Sequence, residues 1–310
     1  MFRYEILSPI NKSLEHELRQ QVTYLKQCAT KTLVATPNAL NVFFDKHNLA
    51  YAKIETPLWL TQYTLPKSDI DISMILGPCG FESRDMTLEV AAFLHDNNLK
   101  TLRGGCFKPR TSPYSFQGYG YQALPWLVDA KERYGLHVVS EITDIQQLQA
   151  TQHVFDVIQI GSRNMSSFAL IQAAAQQQKP IILKRGFSAT YKEWLLAAEY
   201  ALLYGATEVI LCERGIRSFE PSTRFTFDIC AIPSIQEQSS LRIIADPSHA
   251  CGHKHLIPSV SRAALAAGAD GLMIEMHPNP KAALSDADQA LNPKEMQYLL
   301  NTLKPGVTHD

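Results

Sequence analysis

Eight side chains able to ligate a metal, move a proton or hold an anion stand one after another along the chain: Cys79, Arg103, Glu141, Arg163, Lys184, Arg214, His249 and Glu275. Each closes a short apolar or β-branched run, a place more often taken by uncharged turn residues. Two chemistries are superposed in this series. Cys79, His249 and Glu275, with Asp286 eleven residues after Glu275, form a mixed set of thiolate, imidazole and carboxylates that suits a divalent transition metal such as Mn, Fe, Co or Zn rather than a closed structural zinc site. Taken singly, Cys79 also reads as a small buried hydrophobe and His249 as a turn histidine. The second chemistry is anion binding. Arg103, Lys108, Arg110, Arg163, Lys184, Arg185, Arg214 and Arg217 all lie at or just after the ends of those runs. A ring of guanidinium and ammonium groups suits ligands bearing phosphate or carboxylate. Gly104, Gly105, Gly186 and Gly215 stand beside them, where a backbone N–H can approach an oxyanion. Lys108-Pro109-Arg110-Thr111-Ser112-Pro113, stiffened by two prolines, reads as a clamp for a second phosphate. A rival metal cluster, Cys251, His253 and His255, reads instead as a solvated loop.

The elements that must position these groups follow from periodicity. Runs at 72–76, 101–102, 137–140, 157–160, 180–183, 208–211, 242–245 and 271–274 are predicted strands. Helical patterns such as 86–95, 191–203 and 259–267 separate them. Eight βα repeats over this length predict an α/β fold, the TIM (β/α)8 barrel, in which functional side chains gather at the carboxyl ends of the strands. Strands one, seven and eight become neighbours when the barrel closes, so Cys79, His249 and Glu275 are expected to meet. Neither GxGxxG nor a Walker A loop occurs, which argues against a doubly wound nucleotide-binding sheet.

Composition bounds the rest. The 310 residues carry 29 Lys plus Arg against 30 Asp plus Glu, a net charge of −1, with 45% hydrophobic and 19% charged residues. That excludes disorder and a global basic field for nucleic acid. No secretory leader and no membrane-spanning run is read, and six scattered cysteines suggest reduced thiols, so a soluble cytoplasmic protein without nucleic-acid or membrane partners is expected. Residues 72–310 are assigned to the barrel and 1–71 to an N-terminal extension that caps the barrel bottom or forms a subunit interface. In that extension Ser13 is expected to cap a helix bearing Leu14, Leu18, Val22 and Leu25 on one face, and Thr36-Pro37 to start a second.

GPCGFES (77–83), RGGCFKPRTSPYSFQGYG (103–120), QIGSRNM (159–165), LKRGFSAT (183–190), EVILCERGIRSFE (208–220), DPSHACG (246–252) and GLMIEMHPNPKAALSDADQAL (271–291) closely resemble 3-deoxy-D-arabino-heptulosonate 7-phosphate (DAHP) synthase of the type I beta subclass. The resemblance covers 72–303. It implies a metal-dependent barrel that condenses phosphoenolpyruvate with erythrose 4-phosphate, the first step of the shikimate route to aromatic amino acids. It makes Cys79, His249, Glu275 and Asp286 the metal ligands. Arg103, Lys108, Arg163, Lys184 and Arg214, with Glu141 through water, would hold phosphoenolpyruvate. Arg110 and Thr111 would hold erythrose 4-phosphate, and Lys108 would protonate the developing alkoxide. A homodimer or homotetramer is implied.

The chain departs from the usual pattern at Gly80, Cys106, Ser166, Ser167 and Ala287. Ala287 replaces a glycine beside Asp286 and so raises the question of backbone torsion there. The first 71 residues do not resemble the ferredoxin-like or chorismate mutase extensions of the family. Two other readings are an octulosonate 8-phosphate synthase using a five-carbon aldose phosphate, and a silent paralogue that binds phosphoenolpyruvate without turnover.

Overall fold

Eight short strands form a closed, all-parallel barrel: β5 (Met74–Gly77), β6 (Thr101–Arg103), β7 (His137–Glu141), β8 (Val157–Ile160), β9 (Pro180–Lys184), β10 (Glu208–Glu213), β11 (Arg242–Ala245) and β12 (Gly271–Glu275). The computed structural model describes residues 2–303 apart from 23, 29–30, 37–38, 55, 60–64 and 66. Each strand is covered on both faces, so its residues alternate between two apolar layers. Ile75, Val139, Val157, Ile182, Ile210, Ile244 and Met273 fill the barrel interior with Cys212. Their neighbours Leu76, Val138, Ile158, Ile181, Leu211, Ile243 and Ile274 pack outward against the helices.

The outer layer holds α3 (Arg84–Asp96), α4 (Leu124–Tyr134), α5 (Gln147–Thr151), α6 (Phe168–Ala175), α7 (Tyr191–Leu203), α8 (Ala231–Gln238), α9 (Pro247–Cys251), α10 (Ile257–Ala266) and α11 (Pro293–Thr302). Local signals set their ends. Ser83 caps α3, and Thr190 with Glu193 and Asn292 with Glu295 form capping boxes at α7 and α11. Gly135 closes α4 in the left-handed region at φ 62°. The strand positions expected from the sequence are met to within a residue or two.

The N-terminal segment differs from its sequence reading. β1 (Phe2–Ile6), β2 (Tyr24–Cys28), β3 (Lys31–Thr36) and β4 (Tyr51–Lys53) make an antiparallel sheet in the order β2-β3-β1-β4, with α1 (Lys12–Arg19) and α2 (Asn41–Lys46) between strands. This βαββαβ order is ferredoxin-like, so the expectation that no such extension is present is overturned. Asn11 rather than Ser13 caps α1. Leu25 belongs to a strand rather than to that helix, and Thr36 ends β3 rather than opening a helix. Pro37 lies outside the described residues. Tyr4, Ile6, Leu18, Val34, Leu40, Phe43, Phe44 and Leu49 form a core of their own. Leu14, Val22 and Leu25 pack against this core, partly buried.

Ile54, Leu58 and Leu65 instead join the main barrel core, and Ile70 packs on the inner layer beside Ile72. Glu199 on α7 holds both this segment and β1, accepting from Leu58 N at 2.8 Å and from Arg3 Nη1 at 3.0 Å. Among the described residues no helix is long and apolar enough to cross a membrane.

Candidate active site at the barrel mouth

Strand closure brings β5 and β12 side by side, Glu275 opposite Gly77, and this register seats the four expected metal ligands together. One donor atom from each of Cys79, His249, Glu275 and Asp286 lies within 4.8 Å of the others. Cys79 Sγ donates to Asp286 Oδ2 at 2.7 Å, and His249 Nε2 is 3.3 Å from Glu275 Oε1. Burial pushes the Cys79 thiol up to about 12 and the His249 imidazole down to about 4. Burial also opposes ionisation of Asp286, yet the adjoining His249 and Arg224 hold it well below the ordinary carboxylate range. Mixed soft and hard donors converging in a buried corner fit a divalent transition metal. Cys251, His253 and His255 form no such group among the described residues.

The strain suspected at Ala287 sits one residue earlier. Asp286 itself has φ 53°, a conformation aspartate tolerates better than most residues, and Ala287 has no positive φ among the described residues. The Gly-to-Ala departure therefore leaves the ligand in place.

The cations divide into two groups. Arg103 is turned onto Glu275 Oε1 at 2.7 Å and Lys184 onto Asp246. Asp246 also stands 2.7 Å from His249 Nδ1 and accepts from its backbone N–H. Lys108 Nζ donates to the Cys79 carbonyl at 2.8 Å and to its sulfur at 2.5 Å. Lys108, Arg110, Thr111, Glu141, Arg163 and Arg214 line a cavity of about 240 Å³ together with Phe187, Arg224, Phe225, His249 and Asp286. Arg163 Nη2 donates to Thr111 Oγ1 at 3.3 Å, so the β6 and β8 loops meet across the mouth. Arg214 is buried, its Nη1 has no protein partner, and its guanidinium lies 4.0 Å from the Phe225 ring. Burial lowers its pKa to about 10. A desolvated guanidinium without a carboxylate partner, facing a cavity, is poised for an external anion. Burial likewise raises the Glu141 carboxyl, against the pull of Lys108, Lys184, Arg103 and Arg163.

Two of the expected anion ligands lie outside the cavity lining. Arg185 donates to Glu213 at 2.9 Å and Asp228 at 2.8 Å, and Arg217 is exposed over Phe187. Gly104 makes room for the Phe81 ring rather than for an anion, since an added Cβ would lie 2.5 Å from it. The sequence reading missed Asp246, Arg224 and Gln289. Asp246 carried a legible signal, being the first residue after β11. Arg224 and Gln289 lie in loops without periodicity.

The model of the DAHP synthetase I family matches residues 63–307. A phospho-2-dehydro-3-deoxyheptonate aldolase of Thermotoga maritima is 47% identical over 232 residues, 75% of this chain and 69% of the relative. A 2-dehydro-3-deoxyphosphooctonate aldolase of Desulfosudis oleivorans is 30% identical, covering 77% of this chain and 94% of the relative. The crystal structure of the Thermotoga maritima phospho-2-dehydro-3-deoxyheptonate aldolase (DAHP synthase) superposes with a TM-score of 0.77 at 35% identity. It covers 97% of this chain and 96% of the other. A truncated form of 3-deoxy-D-arabino-heptulosonate 7-phosphate synthase from the same organism superposes at 0.71 and 43% identity, over 76% and 88%.

Proposed function

Since this chain belongs to the DAHP synthetase I family, we propose how its barrel mouth carries out the family reaction. Its activity is the condensation of phosphoenolpyruvate with erythrose 4-phosphate to DAHP and inorganic phosphate, the opening step of the shikimate pathway. The observation that carries the assignment of residues is the four-ligand cluster opening onto a cavity lined by Lys108, Arg110, Arg163, Arg214 and Arg224.

Cys79, His249, Glu275 and Asp286 hold a divalent metal of the Mn, Fe, Co or Zn type. Bound there, it supplies Lewis acidity toward the aldehyde oxygen. Arg163, Arg214 and Lys184, with Arg103, fix the phosphate and carboxylate of phosphoenolpyruvate, and Glu141 holds a water near carbon 2. Arg110 and Thr111 hold the phosphate of erythrose 4-phosphate so that its aldehyde faces carbon 3. The electron pair of the enol double bond then forms the new C–C bond, and Lys108 delivers a proton to the aldehyde oxygen as it becomes an alkoxide. Water adds at carbon 2, and the resulting hemiketal phosphate collapses with expulsion of phosphate. A free thiol among the ligands suits a reducing compartment, the cytoplasm. Tyr114 and Phe219, 97% and 98% exposed on the mouth loops, support a homodimer or homotetramer, which light scattering reads directly.

Phosphate release decides among the readings. Release should require both phosphoenolpyruvate and erythrose 4-phosphate and should stop with chelator. Faster release with arabinose 5-phosphate would point to the octulosonate relatives, and none with either aldose to a silent paralogue.

A further inference from the structure

Each candidate carboxylate ligand turns one oxygen toward the cluster and the other away from it. Asp286 Oδ2 faces Cys79 Sγ and Glu275 Oε1 faces His249 Nε2. The two remaining oxygens are held by a single connected pair. Arg224 Nη1 donates to Asp286 Oδ1 at 3.1 Å and to Gln289 Oε1 at 2.8 Å, while Gln289 Nε2 donates to Glu275 Oε2 at 2.5 Å. Gln289 is 2% exposed, so both ends of its amide are spent on this bridge. Arg224 is delivered by the loop between β10 and α8, whose arms pair Ile216 with Thr226. Its own N–H bonds the Cys251 carbonyl at 3.1 Å, in the same helix, α9, that carries His249. Gly252 packs so closely that a Cβ there would lie 2.5 Å from Arg224 Cβ. Arg224 thus touches the elements bearing His249 and Asp286 and reaches Glu275 through Gln289.

We propose that Arg224 and Gln289 are positioning residues that hold Asp286 and Glu275 to one-oxygen ligation, occupying the second oxygen of each so that neither can chelate. Two carboxylates limited in this way leave coordination positions open for substrate. The proposal rests on the metal reading above. It extends that reading from the ligands to the pair of side chains that hold them.

The test is Mn²⁺ binding to the full-length protein stripped by chelator, followed by equilibrium dialysis and by the electron paramagnetic resonance line shape. Arg224→Met and Gln289→Leu should each raise the Mn²⁺ dissociation constant about 10–100-fold and broaden or split the spectrum. Arg224→Lys should recover part of the loss, since it keeps the charge beside Asp286 but cannot hold the amide. The double variant should be little worse than either single, because the two act as one bridge. At saturating Mn²⁺ the KM for phosphoenolpyruvate of Gln289→Leu, whose side chain lies outside the cavity lining, should stay within about twofold, a split that general unfolding would not give. Arg224 is partly exposed, so Arg224→Met should fold and melt like the parent without metal. Dissociation constants within twofold of wild type for both singles would overturn the proposal. Wild-type protein that binds Mn²⁺ tightly yet releases no phosphate overturns the reaction and not this pair. Wild type that binds no Mn²⁺, Co²⁺ or Zn²⁺ overturns both.

Discussion

Cys79 enters the site as a thiol, whereas a metal takes it as a thiolate. With its pKa near 12, the sulfur is protonated throughout the neutral range. His249, held near 4, is already neutral, and Asp286 and Glu275 are already ionised. Metal uptake at pH 6–9 should therefore displace one proton, that of Cys79, and the apparent affinity should rise about tenfold per pH unit. Calorimetry in buffers of different ionisation enthalpy measures it, and zero protons released would remove Cys79 from the ligand set. Cys79→Ala should bind metal far more weakly and lose turnover, while its melting without metal barely moves. Arg110→Ala and Arg163→Ala separate the two substrates. The first should raise the KM for erythrose 4-phosphate and the second that for phosphoenolpyruvate, each roughly tenfold if a charge-assisted pair contributes about 1.5–3 kcal/mol; equal effects on both would contradict the division. These residues were legible in the sequence because strand ends in a barrel are fixed points, so residue type alone assigns position. Arg224 and Gln289 were not, because their partners are met only when loops separated by about 60 residues fold across the mouth.

At the scale of elements the site depends on how closely β5 and β6 approach. Gly77 ends β5 at φ 152°, and a Cβ there would stand 1.8 Å from the Arg103 carbonyl oxygen. Gly77→Ala should cost well above the ~1 kcal/mol of an average substitution, because backbone rather than a flexible side chain must yield. It should also displace Arg103 and Cys79, so that urea melts and metal affinity fall together. A variant with unchanged stability would mean the two strands have slack that the structure does not show. The barrel strands were readable as short β-branched runs because their two-sided burial removes any need for polar alternation. The N-terminal unit was misread for the converse reason. Leu14, Leu18, Val22 and Leu25 keep three- and four-residue spacing across a real break, since α1 ends at Arg19 and Leu25 reaches the same core from a strand. Periodicity does not distinguish a helix face from a helix followed by a strand aimed at one core.

For the whole molecule the question is where the chain divides. The ferredoxin-like unit has its own core, whereas Ile54, Leu58 and Leu65 belong to the barrel. We propose that the division lies near residue 54, earlier than the strand pattern alone suggests. Two truncations distinguish these divisions. A chain of 54–310 keeps Leu58, whose N–H still bonds Glu199, and the Trp59 carbonyl that accepts from Ser240 N at 3.0 Å. It should fold, bind metal and condense the two substrates. A chain of 66–310 loses the burial of Leu58 and Leu65, about 1.5–3 kcal/mol each, and leaves Glu199 buried without Leu58 or Arg3. At about 2–4 °C per kcal/mol for a domain of this size, it should melt roughly 6–24 °C below the longer form. Scanning calorimetry of the two forms side by side gives the answer. Equal melting temperatures would return residues 54–65 to the N-terminal unit and make them a linker rather than part of the barrel core.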